Sequence, residues 1–531
     1  MNGVIERAIE NWLTKTNERN YQAAFCQVLM HQGHRVLFSS SHGPMEQGKD
    51  IITIAPDGVC CAYQTKTGDI GLAEWRQISG EIQELIELPV DYPGVDKSRI
   101  HRAYLVTNGS IKDPVRVQIS DRNEDNERKN RQYAHLEAIG EDSLLKSFID
   151  AQGHFVPREL PDMRAFLELY LNDGKGPLPK AKLFAVLDGA AFGQAPRQKS
   201  NAVDAITSSL VSVSYLLNSY EEAQNYAAMA EGWGVLASCI ARYAARHGIE
   251  EKFWRQSLDL VQAEIGANLT LLRKDAAVRQ DFLEGDIRVD GGPILGARTT
   301  IVLGLLSFHE VCPFAKDKSP DEVLVLIRKH LARRHIWGDS AFPYFFYIVK
   351  FLEASGEGAL AENLIVELFR AVIDSNLAKS GAIFPGPYVA IEEILESQLP
   401  DRLEDLDLEG YRGSSFILRS LLEMLVRRGR RDVVEEQWRR FSYCQQHEFI
   451  PDNPEDVFTW RTKEGTNASR FPSQTQSWAA LVAESSDLSK IPEPFRTFRG
   501  VLGIQILLCP QRATPAVIRE LDSDNNRGAR A

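Results

Sequence analysis

The chain changes its pattern of apolar and polar positions once, near residue 150. Before that point, short apolar runs of strand length alternate with segments whose apolar residues recur at helical spacing. Residues 6–12 read as a short helix and residues 20–32 as a second, with Tyr21, Phe25, Val28 and Leu29 on one face and Gly33 as its stop. Residues 34–38 predict a strand, and 39–48 a Ser- and Gly-rich loop. Residues 50–55 and 59–66 are β-rich and flank Pro56-Asp57-Gly58, which predicts a hairpin. A helix over 72–88 carries the acidic face Glu74, Glu81, Glu84 and Glu87. Residues 102–107 and 135–139 complete the strands, with helices over 115–128 and 141–148. This order predicts a small α/β domain with a mixed sheet over residues 1–150.

Residues 151–200 are rich in Pro, Gly and Lys and read as a connector with one helix over 162–171. Residues 201–520 read as an all-α, solenoid-like region. Its amphipathic segments span 204–215, 220–247, 251–267, 299–310, 320–334, 341–354, 360–375, 414–428 and 431–443. No fixed repeat period emerges. Residues 521–531 are polar and are expected to be a disordered tail.

Composition narrows the function classes. The 531 residues are 44 % hydrophobic and 25 % charged, ordinary for a globular protein. The net charge is −12, and residues 1–150 alone hold 17 basic against 22 acidic side chains. That argues against a basic nucleic-acid coat or an anionic-membrane binder. No stretch is expected to reach the ~18–20 apolar residues of a bilayer span, and the N-terminus has no signal pattern, so the chain is expected in the cytoplasm. The seven cysteines are scattered and form no C-x-x-C pair, which fits reduced thiols rather than zinc or a disulfide framework. There is no phosphate-loop motif, no H-E-x-x-H and no G-x-S-x-G.

The candidate chemistry lies on the hairpin. Asp50 opens its first strand; after thirteen intervening residues, Gln64-Thr65-Lys66 close the second. Gln64 and Lys66 share a face, and nearly equal arms bring them level with Asp50. A carboxylate, an amide oxygen and an ammonium on one face suit phosphodiester hydrolysis. Asp50 would hold Mg²⁺ or Mn²⁺, with Gln64 and the Thr65 carbonyl as further oxygen ligands. Lys66 would stabilise developing charge or orient water. Lys49 is expected to point away from Asp50, with phosphate as a conceivable contact. His31, His34 and His42 read as helix-end and loop residues. Glu46 is a further loop candidate for the metal. Arg328, Lys329, His330, Arg333, Arg334 and His335 form one basic face; Arg427, Arg428, Arg430, Arg431, Arg439 and Arg440 form another. Each reads as a phosphate grip or, more simply, as a solvated face paired with nearby acids. The aromatic run Trp337, Phe342, Tyr344, Phe345, Phe346 and Tyr347 reads as core.

Asp50 with Gln64-x-Lys66, the helix Tyr21-Gln22-x-x-Phe25-x-x-x-Leu29 and the run Ala103–Gly109 resemble the PD-(D/E)XK nuclease superfamily, and within it the Mrr-like restriction endonucleases. The resemblance covers roughly residues 5–150. It implies a restriction-endonuclease-like αβββαβ core and a Mg²⁺-dependent endonuclease acting on DNA. It further implies an effector of bacterial antiviral defence, regulated by its helical region and acting as a homo-oligomer or with a partner defence protein. Asp50, Gln64 and Lys66 take the catalytic positions. The family's metal-completing helix Glu is replaced by Gln22, and Glu18, four residues earlier, is the alternative ligand. Two other readings stand beside this one. One is a catalytically degenerate nuclease fold serving as a nucleic-acid-binding or protein-interaction scaffold. The other is an RNA-directed toxin nuclease. The overall acidity suggests that nucleic acid is gripped locally or with a partner's help.

Overall fold

The structure is a computed structural model. It describes residues 10, 13–14, 16, 18–39, 48–93, 95–151, 165–166, 168–170, 172–192, 199–279, 283, 292–377, 384–397, 413–460 and 465–523. The expected helix over 6–12, apart from residue 10, and most of the tail lie outside these residues. The chain divides into two compact units. One runs through Asn225 and takes in Ile249–Val261; the other comprises Tyr226–Gly248 and the chain from Gln262 onward.

In the first unit the elements are α1 (Glu18–His31), β1 (Arg35–Ser39), β2 (Ile51–Ile54), β3 (Cys60–Lys66), α2 (Leu72–Glu87), β4 (Arg102–Thr107), α3 (Asp113–Arg128), β5 (Leu136–Ile139) and α4 (Glu141–Ala151). The strands form one sheet in the order β1-β2-β3-β4-β5. β1, β2 and β3 pair antiparallel, whereas β3, β4 and β5 pair parallel. The mixed sheet follows from the connections. A tight turn at Pro56–Gly58, with Gly58 at φ +81°, returns β3 against β2, while α2 and α3 cross over to β4 and β5.

The alternation of β-strand side chains sorts the core. Ile52, Ala62, Ala103 and Leu105 point towards α2 and α3, where Trp75, Ile82, Leu85, Val115 and Ile119 cover them. On the other face Phe25 of α1 meets Tyr63 edge-on at 5.7 Å. The apolar stripe Tyr21, Phe25, Val28 and Leu29 is buried as its spacing required. Gly33, at φ +86°, follows the end of α1.

The connector is more ordered than its Pro- and Gly-rich composition suggested. It contains α5 (Lys180–Leu187), whose Leu183, Phe184, Val186 and Leu187 are buried, and a π-helical turn over Asp188–Phe192. α6 (Lys199–Leu216) packs on α1. The sheet-bearing unit therefore extends well past residue 150.

The expected long helix over 220–247 is broken. α7 (Asn218–Glu222) ends before Gln224, which takes a left-handed φ of +55°, and α8 (Tyr226–Arg246) begins anew. The next helix, α9, covers Arg255–Val278.

The second unit is mostly helical. It includes α10 (Gly292–Val311), α11 (Pro320–His330), α12 (Phe342–Ala354), α13 (Gly358–Leu377) and α14 (Ile391–Ser397). After β6 (Ser414–Ser415) come α15 (Leu418–Arg427), α16 (Arg431–Phe441), β7 (Gln445–Ile450) and β8 (Thr466–Arg470). α17 (Trp478–Ser486), α18 (Glu493–Thr497), α19 (Arg499–Leu508) and α20 (Pro515–Asp522) complete it. Strands β6, β7 and β8 form a small sheet in a stretch expected to be helical throughout. α10 is long and apolar enough to cross a membrane by length and composition, contrary to the sequence expectation, but 78 % of its apolar window is buried in the protein. It is a core helix on those grounds. The aromatic run around Phe342–Tyr347 is likewise core.

Asp522 overturns the expected tail boundary. It ends α20, is buried, and accepts hydrogen bonds from Arg427 (2.8 Å) and Arg428 (3.1 Å), with Lys350 at 3.6 Å. Those cations come from helices more than ninety positions away in sequence, so composition near the C-terminus could not reveal the pairing.

Candidate functional site

The candidate site forms where β2 begins and β3 ends. The register pairs Ile51 with Tyr63, and the Asp50 N–H donates to the Tyr63 carbonyl at 2.8 Å, so Asp50 stands beside Gln64 and Thr65. Gly48 sets this entry. Its φ is +68°, and a Cβ there would lie 2.4 Å from the Glu81 carbonyl oxygen, so only glycine lets the chain pass this close to α2.

Asp50 is 3 % exposed. Its Oδ2 accepts from the Thr65 N–H at 2.6 Å and the Thr65 Oγ1–H at 2.9 Å. Two donors on one oxygen fix the carboxylate against the edge of β3. In a strand, a residue's C=O points to the same edge as its N–H, so the Thr65 carbonyl faces the Asp50 side as well. Gln64 is 4 % exposed, and its Oε1 is buried with no hydrogen-bond partner among the described residues. Buried polar atoms are ordinarily satisfied, so such an acceptor beside a buried carboxylate calls for an explanation.

Lys66 lies at the strand end, and its Nζ pairs with Glu81 Oε2 of α2 at 2.7 Å. The sequence placed Glu81 on an acidic helix face but gave no sign of this contact, because it joins two elements only through the fold. Tyr21 is a second residue whose role was not foreseen. Its hydroxyl accepts from the Lys66 N–H at 3.0 Å and donates to the Lys66 carbonyl at 2.6 Å. The ring that reads as one more apolar helix position also pins the backbone of Lys66.

Gln22 is buried, and its Nε2 donates to the Asp50 carbonyl at 3.3 Å and to Ser39 Oγ at 3.2 Å. It ties α1 to the start of β2 and positions the Asp50 backbone. The Glu18 side chain, Glu46 and His42 lie outside the described residues. His34 packs at the far end of the hairpin, where its Nδ1 lies 2.9 Å from Thr53 Oγ1 and burial lowers its pKa. Lys49 is buried beneath α2, with its Nζ donating to the Glu84 carbonyl at 3.3 Å. Burial pushes its pKa down to about 8.

No group of three or more His, Cys, Asp and Glu side chains placed to hold a metal exists among the described residues. The candidate donors at the ends of β2 and β3, the Asp50 carboxylate, Gln64 Oε1 and the Thr65 carbonyl, are all oxygens. Such a set fits a hard cation that takes few protein ligands and keeps several waters.

Much of the two basic faces is engaged within the protein. Arg328 pairs with Glu357 and Arg334 with Glu367, Arg333 donates to the Leu283 carbonyl, and His330 is buried. Arg428 meets Glu353 at 2.6 Å, Arg430 meets Glu362 and Asp432, Arg431 meets Glu435, and Arg440 meets Asp374. The cysteines among the described residues are free thiols, all buried except the half-buried Cys60. The chain matches no protein-family model, no curated protein and no solved structure.

Proposed function

We propose that the chain is a divalent-cation-dependent phosphodiester hydrolase acting on nucleic acid, with DNA favoured by the resemblance to Mrr-like nucleases. The first unit would then be a restriction-endonuclease-like core, and the helical unit its regulator in an antiviral system. One observation carries the reading: the unsatisfied, buried Gln64 Oε1 beside the buried Asp50 carboxylate. Asp50, Gln64 and the Thr65 carbonyl would hold Mg²⁺, which when bound polarises a phosphate and acidifies a water. Thr65 holds the Asp50 carboxylate in place, and Gln22 holds its backbone. Tyr21 fixes the strand end from which Lys66 reaches a phosphate oxygen or the attacking water.

A second reading has a specific observation behind it. Lys66 is already paired with Glu81, and Asp50 is the one carboxylate in the donor set. That suits a degenerate nuclease fold acting as a scaffold. Plasmid cleavage with Mg²⁺ or Mn²⁺ separates the two, with a tRNA arm for the RNA-directed alternative. The wild type is expected to nick or cut, and Asp50→Ala and Lys66→Ala to be inactive. Equal cleavage by the variants, or none by the wild type under any metal or oligomer condition, contradicts the proposal.

A further inference from the structure

A groove of about 460 Å³ runs between α3 and the outer edge of β5 in the first unit. β5 is the last strand of the sheet, and β4 separates it from the hairpin. The Ala103 N–H donates to the His135 carbonyl at 3.2 Å, so His135, Glu137 and Ile139 turn their backbone groups to β4. Leu136 and Ala138 turn theirs outward. At Leu136 a side chain stands in for the missing strand. The Leu136 N–H donates to Asn123 Oδ1 at 3.1 Å, and the Leu136 carbonyl accepts from Asn123 Nδ2 at 2.9 Å. Ala138 lines the groove and receives no such partner among the described residues. One backbone donor and one acceptor, placed as on any edge strand, therefore open into the groove.

The two ends of the groove carry opposite charge. Arg116 is exposed at one end. Its Nε donates to the Ile111 carbonyl at 3.0 Å, and a terminal guanidinium nitrogen stands 3.7 Å from where a Gly140 Cβ would lie. At the other end the exposed Glu127 lies 3.9 Å from His135, with the exposed Glu124 one turn before it. From Arg116 to Glu127 the helix rises about 16 Å, the length of about five extended residues. An occupant that spans the groove needs a base at the Glu124–Glu127 end, an acid at the Arg116 end, and backbone groups between them.

We propose that this groove takes an extended peptide segment of a partner protein, added to β5 as a further parallel strand. A Lys or Arg of the segment lies beside Glu124 and Glu127, and an Asp or Glu beside Arg116. Parallel pairing continues the β3-β4-β5 arm of the sheet, and the Ala138 N–H and carbonyl supply the ladder bonds. The inference does not rest on the phosphodiesterase reading.

Fluorescence anisotropy on the full chain at low salt uses fluorescein-labelled Lys-Thr-Val-Thr-Asp-amide as the probe. Saturable binding is expected below about 1 mM, the range of a weak, transient contact. The same peptide N-methylated at its three central residues keeps its charges and loses its backbone donors. It is expected to bind at least about fivefold more weakly. Glu127→Lys is expected to weaken the probe by about three- to tenfold, and to strengthen a peptide with Asp at both ends by a similar factor. Glu127 is exposed, so this variant leaves the fold intact. Absence of saturable binding by the probe overturns the proposal. So does equal affinity of the N-methylated peptide, or a Glu127→Lys variant that binds both charge patterns as the wild type does.

Discussion

Gln64→Met isolates the proposed functional compromise. Gln64 is 4 % exposed and its Oε1 has no hydrogen-bond partner among the described residues. A buried acceptor left in this state costs about 1–3 kcal/mol. Met has similar length and no branch, so it fills the space without a cavity and removes the stranded oxygen. In EDTA the variant is therefore expected to be more stable than wild type by about 1–3 kcal/mol. The readout is a higher urea midpoint for the N-terminal unit at unchanged slope. Adding Mg²⁺ narrows or removes that advantage. A cation at a hundredfold excess over its dissociation constant stabilises the wild type by about 2.7 kcal/mol, and the variant, lacking one ligand, gains less. Cleavage activity falls in the same variant, a trade of activity for stability. A variant that is less stable in EDTA, yet keeps the full Mg²⁺ stabilisation and cleavage, refutes the reasoning.

Three other outcomes are expected. Tyr21→Phe removes the hydroxyl that serves the Lys66 N–H and carbonyl, so the first unit should lose about 1–3 kcal/mol in urea unfolding, with reduced cleavage. Asp522→Ala removes the carboxylate that Arg427, Arg428 and Lys350 share and should destabilise the helical unit by about 3–5 kcal/mol in denaturant titration. Burial raises the Asp522 pKa, but the three cations outweigh it and hold the carboxylate well below its usual range. Its stability contribution is thus complete above the unfolded value of about 3.9, and acid unfolding should show it being lost as pH falls below that value. Lys49 shows the same slope in a higher pH window. Its folded pKa is about 8 against an ordinary 10.5, so the unfolded chain binds more protons between those values and stability from this group rises with pH across them. Lys49→Met should flatten that slope in urea titrations at pH 8 and pH 10.

The hairpin was legible because its signals are local: a Pro-Asp-Gly turn, β-rich arms of nearly equal length, and a period of two that sets Gln64 and Lys66 on one face. α1 was legible for the same reason, through its apolar stripe and Gly33. What escaped depends on distant residues. Glu81 meets Lys66 only because α2 folds back over β3, and the Tyr21 hydroxyl finds Lys66 only because α1 lies against the sheet. The break before α8 hides in a non-glycine left-handed residue, Gln224, beside Asn225, whose side chain donates to the Gly174 and Gly176 carbonyls. α5 was masked by the Pro and Gly around it, although its own Leu183–Leu187 stretch is apolar enough to be core. β8 could not be read from periodicity because every residue in it is exposed.

The central claim is that the ends of β2 and β3 form a hard-cation site. A crystal soaked in Mn²⁺ and measured at the manganese absorption edge tests it most directly. The account predicts an anomalous peak in direct coordination with the Asp50 carboxylate, Gln64 Oε1 and the Thr65 carbonyl, absent in Asp50→Ala. A fully soaked crystal with no peak there, or a peak held by other residues, contradicts it.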